Sequence, residues 1–271
     1  MIHQINILTD LDKVETAIKR FQTFEPPEGY YLAFSGGKDS VVIKALADMA
    51  GVKYDAHYAV ASVDPPELVQ FIKERHPDVS RDIPHDKNGK PVTMWNLIPR
   101  KNMPPTRLAR YCCKYLKEGA GEGRFTVTGV RWDESVKRKA KRKGLELSSS
   151  GAGRTYVDPD NPDNAELARY CPTKGKHILN PIIDWTTEEV WEFIREYNVP
   201  YCRLYDEGHT RLGCIGCPMA GAEKQIAMFE RWPKYKGMYL RAFRRMLAYN
   251  DERGLESWRN EEEVMEWWLD I

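Results

Sequence analysis

The chain has no apolar run approaching the ~18 residues that a bilayer-spanning helix needs, and it has no surplus of either charge. Over 271 residues, 41 Lys and Arg stand against 40 Asp and Glu, a formal net charge of +1. The first lack sets aside a membrane partner as the expectation. The second means that attraction for an anion must come from a local patch and not from the whole molecule. Met1–Asn6 shows no basic stretch leading into an apolar core, so the sequence reads as cytoplasmic. No internal repeat is visible, which sets aside solenoid and propeller architectures. Cysteines number only six; in a reducing compartment they read as metal ligands or redox groups and not as a disulfide frame. Length and composition fit one large globular domain with an appendage.

What is present centres on Tyr30-Tyr31-Leu32-Ala33-Phe34-Ser35-Gly36-Gly37-Lys38-Asp39-Ser40, where an apolar, strand-like run ends in a polar turn and a helical pattern follows. Two adjacent glycines let the backbone turn tightly and present N–H groups, and the next helix aims its positive end at the same point. An anion belongs there. The spacing is not that of a Walker A loop, since Asp39 follows Gly37-Lys38. It resembles the PP-loop, Ser-Gly-Gly-x-Asp-Ser, of the N-type ATP pyrophosphatases, which cleave ATP between the α and β phosphates.

Leu11, Val14, Ala17, Ile18 and Phe21 predict a helix over 10–23, broken by Pro26-Pro27-Glu28-Gly29. Val41, Val42, Ala45, Leu46 and Met49 predict a second helix from Lys38, with Gly51 as its cap. Tyr54–Val63 reads as a buried strand, and Asp64-Pro65-Pro66-Glu67 opens a helix through Leu68, Val69, Phe71 and Ile72. Two strand–helix units in succession imply a parallel sheet, whose ligands gather beyond the carboxyl ends of the strands. Ser35–Ser40 and Asp64–Glu67 both fall there and are expected to face one site. Residues 77–105 read as an irregular excursion around Met94–Ile98. A helix over Arg107–Lys117 carries Cys112-Cys113, and a third strand over Arg124–Val130 delivers Arg131 to the ligand edge. Ser148–Gly153 and Asp158–Asp163 lack core-forming residues and are expected to be mobile loops. Apolar character resumes at Ile178–Ile183, Thr187 is expected to cap a helix through Val190, Trp191, Phe193 and Ile194, and the chain beyond Pro218 reads as helical. Trp258, Trp267 and Trp268 read as packing residues of those terminal helices.

Several pieces in fixed order carry a more specific likeness. They are Ser35–Ser40, Asp64–Glu67, Cys112-Cys113-Lys114-Tyr115-Leu116-Lys117, Thr128-Gly129-Val130-Arg131-Trp132-Asp133-Glu134-Ser135 with Arg138, Asn180-Pro181-Ile182-Ile183-Asp184-Trp185-Thr186, and Pro200-Tyr201 with Leu204-Tyr205 and Gly208, leading to Gly213-Cys214-Ile215-Gly216-Cys217. Together, over roughly residues 28–220, they resemble the phosphoadenosine phosphosulfate reductase family. The resemblance implies an α/β fold of the adenine nucleotide α-hydrolase type: a Rossmann-like parallel sheet in three layers, over residues 1–220, with residues 221–271 as a helical C-terminal extension. It implies that Ser35, Gly36, Gly37, Lys38, Asp39 and Ser40, with Asp64, Glu67 and Gly129, bind ATP or a related adenylyl nucleotide, and that Asp39 takes Mg²⁺ when the nucleotide is ATP. Lys117, Arg131 and Arg138 match the basic residues that face phosphate or sulfate. Lys38, Asp39, Lys117, Arg131 and Arg138 are accordingly the candidate catalytic set. Guanidinium forks and a lysine point charge suit that task, with solvated surface charge as the plainer alternative for Arg138.

The sequence also departs from the family pattern. Leu116 stands where Arg is expected, and no Thr follows Glu67. Sulfonucleotide reductases carry a tail cysteine followed by Gly and His that attacks the sulfate sulfur, whereas no cysteine follows Cys217 here. This departure favours ATP cleavage over reduction. The pair Cys112-Cys113 and the C-x-x-C of Cys214 and Cys217 resemble the [4Fe–4S] ligation of the iron–sulfur members, with zinc, a redox disulfide or buried thiols as alternatives. Cys202 is a possible substitute ligand or sulfur carrier, and Cys171 a small apolar filler. Lys137–Lys143 is the densest basic run and would attract a nucleic-acid acceptor, unless it is simply a solvated loop.

The expectation is an ATP pyrophosphatase that adenylates an acceptor for sulfur transfer, served by a sulfur-donor protein such as a cysteine desulfurase. The alternatives are a sulfonucleotide reductase that releases sulfite, and a non-catalytic module binding nucleotide and cluster.

Overall fold

A computed structural model describes residues 1–5, 11–119, 121–148, 154–161, 177–255 and 258–270. Most of Ser148–Gly153, the end of Asp158–Asp163 and Cys171 therefore lie outside the described residues. Seven strands form one sheet in the order β3-β2-β1-β4-β7-β5-β6. They are β1 (Tyr30–Ala33), β2 (Tyr54–Ala59), β3 (Ser80–Asp82), β4 (Thr126–Val127), β5 (Leu145–Ser148), β6 (Arg154–Val157) and β7 (Ile178–Leu179). β1 runs parallel to β2 and β4, and β4 parallel to β7, while β5 pairs antiparallel with both β7 and β6. The parallel centre is the one expected from the strand–helix alternation. The antiparallel edge pair was not signalled by the pattern of the sequence. The chain folds as two compact units that interleave in sequence: residues 1–58, 70–81 and 121–211 form one, and residues 59–69, 82–120 and 212–271 the other.

In the first unit, α1 (Lys13–Thr23), α2 (Lys38–Ala50) and α7 (Thr187–Glu196) pack together. Each has local reasons to form. Asp12 caps α1 in a capping box with Glu15, and Gly51 ends α2 in the left-handed conformation at φ 68°. The cap of α7 is Thr186, not Thr187: its side chain accepts from the Glu189 N–H while the Glu189 carboxylate accepts from the Thr186 N–H. Thr187 instead directs its N–H and hydroxyl to Asp133 at 2.9 and 2.7 Å. The buried Arg20 ties α1 to the 180–185 turn, donating to Pro181 O at 2.7 Å and to Asp184 at 2.8 Å. Asn180 closes the other side of that turn. It accepts from the Thr128 hydroxyl and donates to Lys143 O and to buried Glu146.

In the second unit, α4 (Met94–Lys101), α8 (Ala222–Arg231), α9 (Pro233–Asp251) and α10 (Glu261–Leu269) surround an aromatic core. Tyr239 meets Trp95 edge-on at 5.1 Å and Trp268 at 4.9 Å, and Phe243 meets Trp268 at 5.6 Å. The Trp268 indole donates to Pro105 O at 2.6 Å, so this tryptophan is a packing residue as expected. Trp267 is about half exposed and lies 4.9 Å from Trp258. The helix expected over Arg107–Lys117 begins only at Tyr111. One turn, α5 (Tyr111–Cys113), continues as a π-helical turn over Lys114–Glu118, and two further helices are α3 (Pro66–Arg75) and α6 (Val136–Lys141).

Candidate functional site

In the first unit, β1 ends at Ala33 and Gly36 takes φ 72°, the left-handed conformation that a glycine adopts without cost. Gly37 is the N-cap of α2 and supplies no side chain to it. The loop is braced internally: the Ser40 hydroxyl donates to Gly37 O at 2.8 Å, and the Gly37 N–H donates to Ser35 Oγ at 3.4 Å. The remaining N-terminal amides of α2 and its dipole make this end electropositive. Gly129, at the end of β4, lies against the loop so closely that a Cβ there would stand 3.0 Å from the Asp39 carbonyl carbon and oxygen. The glycine of Thr128-Gly129-Val130 is thus a matter of space.

Three charged side chains converge on this loop. Asp39 accepts from Arg131 Nε at 2.7 Å through one oxygen and pairs with Lys38 Nζ at 3.2 Å through the other. Arg131 is 1% exposed and also donates to Trp185 O at 3.1 Å, Asp133 at 3.3 Å and the Thr187 hydroxyl at 3.3 Å. Hydrogen bonds from Thr187, then the Arg131 charge, hold the Asp133 carboxyl below its ordinary pKa, with burial opposing. Arg138 pairs with Glu134, which also accepts from the Arg131 N–H. Burial, followed by the charges of Arg211 and Arg142, lowers the pKa of Arg138 against the pull of Glu134 and Asp39. Arg211 was absent from the sequence reading; no motif marks it. Within the basic run, Arg142 is bound to buried Glu146 at 2.5 Å, whereas Lys139, Lys141 and Lys143 are exposed.

Asp64, Glu67 and Lys117, expected beside the loop, belong to the second unit and are engaged there. Glu67 accepts from the Trp232 indole at 3.1 Å and pairs with Arg231 at 3.4 Å. Lys117 lies 3.6 Å from Asp64, whose other oxygen accepts from the Ala61 N–H at 3.3 Å. All four candidate cysteine ligands lie in this unit. The Cys214–Cys217 turn is fixed by the Tyr239 hydroxyl, which donates to Ile215 O at 3.0 Å, and by Gln225, which donates to Gly216 O at 3.2 Å. Gly216 has φ 71°, and a Cβ on it would meet Phe229 at 2.7 Å, so no other residue fits there.

The thiols are electrically coupled. The hydrogen bond between Cys112 and Cys113 raises the pKa of Cys112 and lowers that of Cys113 to about 5, where Arg110, donating at 3.5 Å, and Lys117 add to the effect against burial. Cys214 also bears on Cys112. Burial pushes the Cys214 thiol up to about 11, with Lys117 opposing and Asp64 and Cys217 contributing. The Lys117 ammonium loses to burial but gains more from Cys214 and Asp64, and its pKa is raised. Among the described residues, no three His, Cys, Asp or Glu side chains converge as ligands of a single ion. Cys202 lies in the first unit and is fully buried, a position that suits packing better than carrying sulfur.

The phosphoadenosine phosphosulfate reductase domain matches residues 29–220. Over 229 residues the chain is 24% identical to an uncharacterized 37.8 kDa protein of Escherichia phage 186, covering 81% of this chain and 62% of that protein. Over 207 residues it is 28% identical to the adenosine 5′-phosphosulfate reductase of Pseudomonas aeruginosa, covering 74% of this chain and 71% of that enzyme. An uncharacterized protein of Methanocaldococcus jannaschii matches at 26% identity over 84% of this chain and 51% of its own length. The chain thus spans less than two thirds of the phage relative and about half of the archaeal one. In fold it is similar to the phosphoadenylyl-sulfate reductase of Candida auris, solved as a phosphate complex, with TM-score 0.51 and 15% identity over 77% of this chain and 90% of that one.

Proposed function

The chain belongs to the phosphoadenosine phosphosulfate reductase family, and from that premise we propose that it is an ATP pyrophosphatase that adenylates an acceptor for sulfur transfer. The observation that carries this reading is Asp39. A carboxylate at the mouth of an anion-binding loop, even paired as here with Lys38 and Arg131, offers no donor to a phosphate oxygen. It is reconciled with phosphates when a divalent cation bridges the two, and Mg²⁺ is commonly held by one or two carboxylates plus the phosphates themselves. Asp39 fits that role, and Lys38 and Arg131 fix its direction. The loop amides and Lys38 would take the phosphates, with Arg131 and Arg138 balancing charge on the leaving pyrophosphate. The exposed Lys139, Lys141 and Lys143 suit a nucleic-acid acceptor.

Cys112, Cys113, Cys214 and Cys217 would fit an iron–sulfur cluster by donor chemistry: all four are free thiols, and Arg110 and Lys117 draw Cys113 towards the thiolate form. When bound, the cluster would supply a sulfur- or electron-handling centre, served by a sulfur-donor protein. The second reading, sulfonucleotide reduction, is favoured by the likeness to the Pseudomonas enzyme; with Cys202 buried, its thiol would come from a partner protein. The test is an anaerobic preparation assayed with ATP, Mg²⁺ and tRNA or DNA for pyrophosphate, and with adenylyl sulfate and a thiol for sulfite. Acceptor-dependent pyrophosphate release is expected. Sulfite without pyrophosphate overturns the first reading in favour of the second. Iron and acid-labile sulfide should be present, and lost on Cys112→Ser with Cys214→Ser.

A further inference from the structure

Lys38 is the first residue of α2, so its backbone N–H is among the helix donors left without an intrahelical partner, the kind that a phosphate-binding loop offers to oxygen. In this structure it donates to the Tyr205 hydroxyl at 2.8 Å. A Cβ on Gly37 would stand 3.4 Å from the same phenol oxygen. The hydroxyl therefore lies in the mouth of the loop. It is held there from behind: the ring meets Trp191 edge-on at 5.1 Å, the Tyr205 N–H donates to Cys202 O at 3.1 Å, and Tyr205 O accepts from the Gly208 N–H at 3.1 Å.

A phenol can accept one hydrogen bond and donate another. Its acceptor side is filled by Lys38, and among the described residues nothing accepts its proton. Burial, with Asp39 and Cys202 adding to it and Lys38 opposing, keeps the phenol pKa above its usual value, so the proton stays on the oxygen. An amide at a positive helix end polarises that O–H further. What such a group lacks is an oxygen to receive it.

We propose that Tyr205 is a ligand of the phosphoryl group in the Ser35–Ser40 loop, accepting from the Lys38 N–H and donating its own O–H to a phosphoryl oxygen of the nucleotide. The proposal rests on the nucleotide reading above. It makes Tyr205 part of how the site prefers a phosphorylated adenosine to adenosine itself. The rival arrangement is a placeholder, in which the phenol occupies the Lys38 amide only until phosphate displaces it. The two predict opposite signs, since a placeholder competes with the nucleotide and a ligand assists it.

Tyr205→Phe in the full chain separates them, because phenylalanine keeps the packing on Trp191 and removes only the hydroxyl. Binding of ATP, AMP and adenosine is measured by calorimetry at fixed Mg²⁺ and salt, with thermal unfolding alongside. ATP and AMP should each bind the variant about tenfold more weakly, ~1.4 kcal/mol, with adenosine affinity and Tm unchanged. ATP binding that is equal or tighter overturns the proposal in favour of the placeholder. A loss shared equally by adenosine overturns it as general damage to the pocket. If the unaltered protein binds none of the three, the nucleotide reading itself fails, a result seen before any substitution is made.

Discussion

Replacing Arg131 by lysine keeps the charge and removes the fork. The guanidinium, 1% exposed, serves four acceptors: Asp39 at 2.7 Å, Trp185 O at 3.1 Å, and Asp133 and Thr187 at 3.3 Å each. A lysine ammonium is a single point on a shorter reach and can satisfy one side of this set. If it keeps Asp39, the buried Trp185 carbonyl loses its donor; if it keeps Trp185, Asp39 is paired by Lys38 alone. Hydrogen bonds to charged groups are worth ~1.5–3 kcal/mol and neutral ones ~1. Asp39 and Asp133 are 22% and 42% exposed, so solvent screens part of their contribution. The net cost is about 3 kcal/mol, and at ~2–4 °C per kcal/mol for a chain of this size the Tm should fall by roughly 6–12 °C. Because Asp39 also loses its fixed direction, affinity for ATP with Mg²⁺ should drop at least ~10-fold. Calorimetric melting and ATP titration of Arg131→Lys measure both. A Tm within ~2 °C of the parent together with unchanged ATP binding would refute the assignment of Arg131 as the strut of the loop.

Gly129→Ala should act without unfolding the chain: its Cβ would sit 3.0 Å from Asp39 backbone atoms that cannot rotate away. The loop must shift, at about 1–3 kcal/mol, and ATP affinity should fall while the far-ultraviolet circular dichroism is preserved. His76 should make stability pH-dependent. It is buried against Phe34 and Phe71, its Nε2 lacks a partner among the described residues, and burial, with Lys44 adding and Asp78 and Asp48 opposing, lowers its pKa to about 4. The unfolded chain binds the proton near pH 6.5, so stability is full above that pH and is lost as pH falls from 6.5 towards 4, by at most ~3 kcal/mol. Urea unfolding from pH 7 to 4 should show this slope, and His76→Leu should flatten it.

The strand–loop–helix over Tyr30–Gly51 is legible in the sequence because every signal in it is local: the apolar run, the paired glycines, the helical period and the cap. The site around it is less so. Asp39, Arg131 and Gly129 could be nominated by resemblance, but what binds them to one another crosses 92 residues of chain. Tyr205 reaches Lys38 across 167 residues; nothing in the letters around Pro200–Gly208 marks it, because only the fold brings its hydroxyl to the helix end. β4 and β7 are two residues each, too short for periodicity to define, and their order in the sheet is set by neighbours. Strand β5, paired on both sides, hides its identity differently. Leu145, Glu146 and Leu147 are all buried, with Glu146 neutralised by Arg142, so the alternation that reads as half-exposed does not mark exposure here. Thr186 and Thr187 are equivalent as letters; the choice of cap was decided by Asp133, which claims Thr187.

The interleaving of the two units bears on biosynthesis. Residues 59–69 and 82–120 complete their unit only with residues 212–271, through contacts such as Trp268 to Pro105, 163 residues apart, and Cys214 to Asp64, 150 apart. At roughly 5–20 residues per second, a nascent chain displays Cys112 and Cys113 for about 5–20 s before Cys214 and Cys217 are made. Any prosthetic group that uses all four thiols must therefore be inserted after residue 217 has left the ribosome. During that interval the two adjacent thiols depend on the reducing power of the surrounding cell, and no truncated product ending before the C-x-x-C turn can be matured.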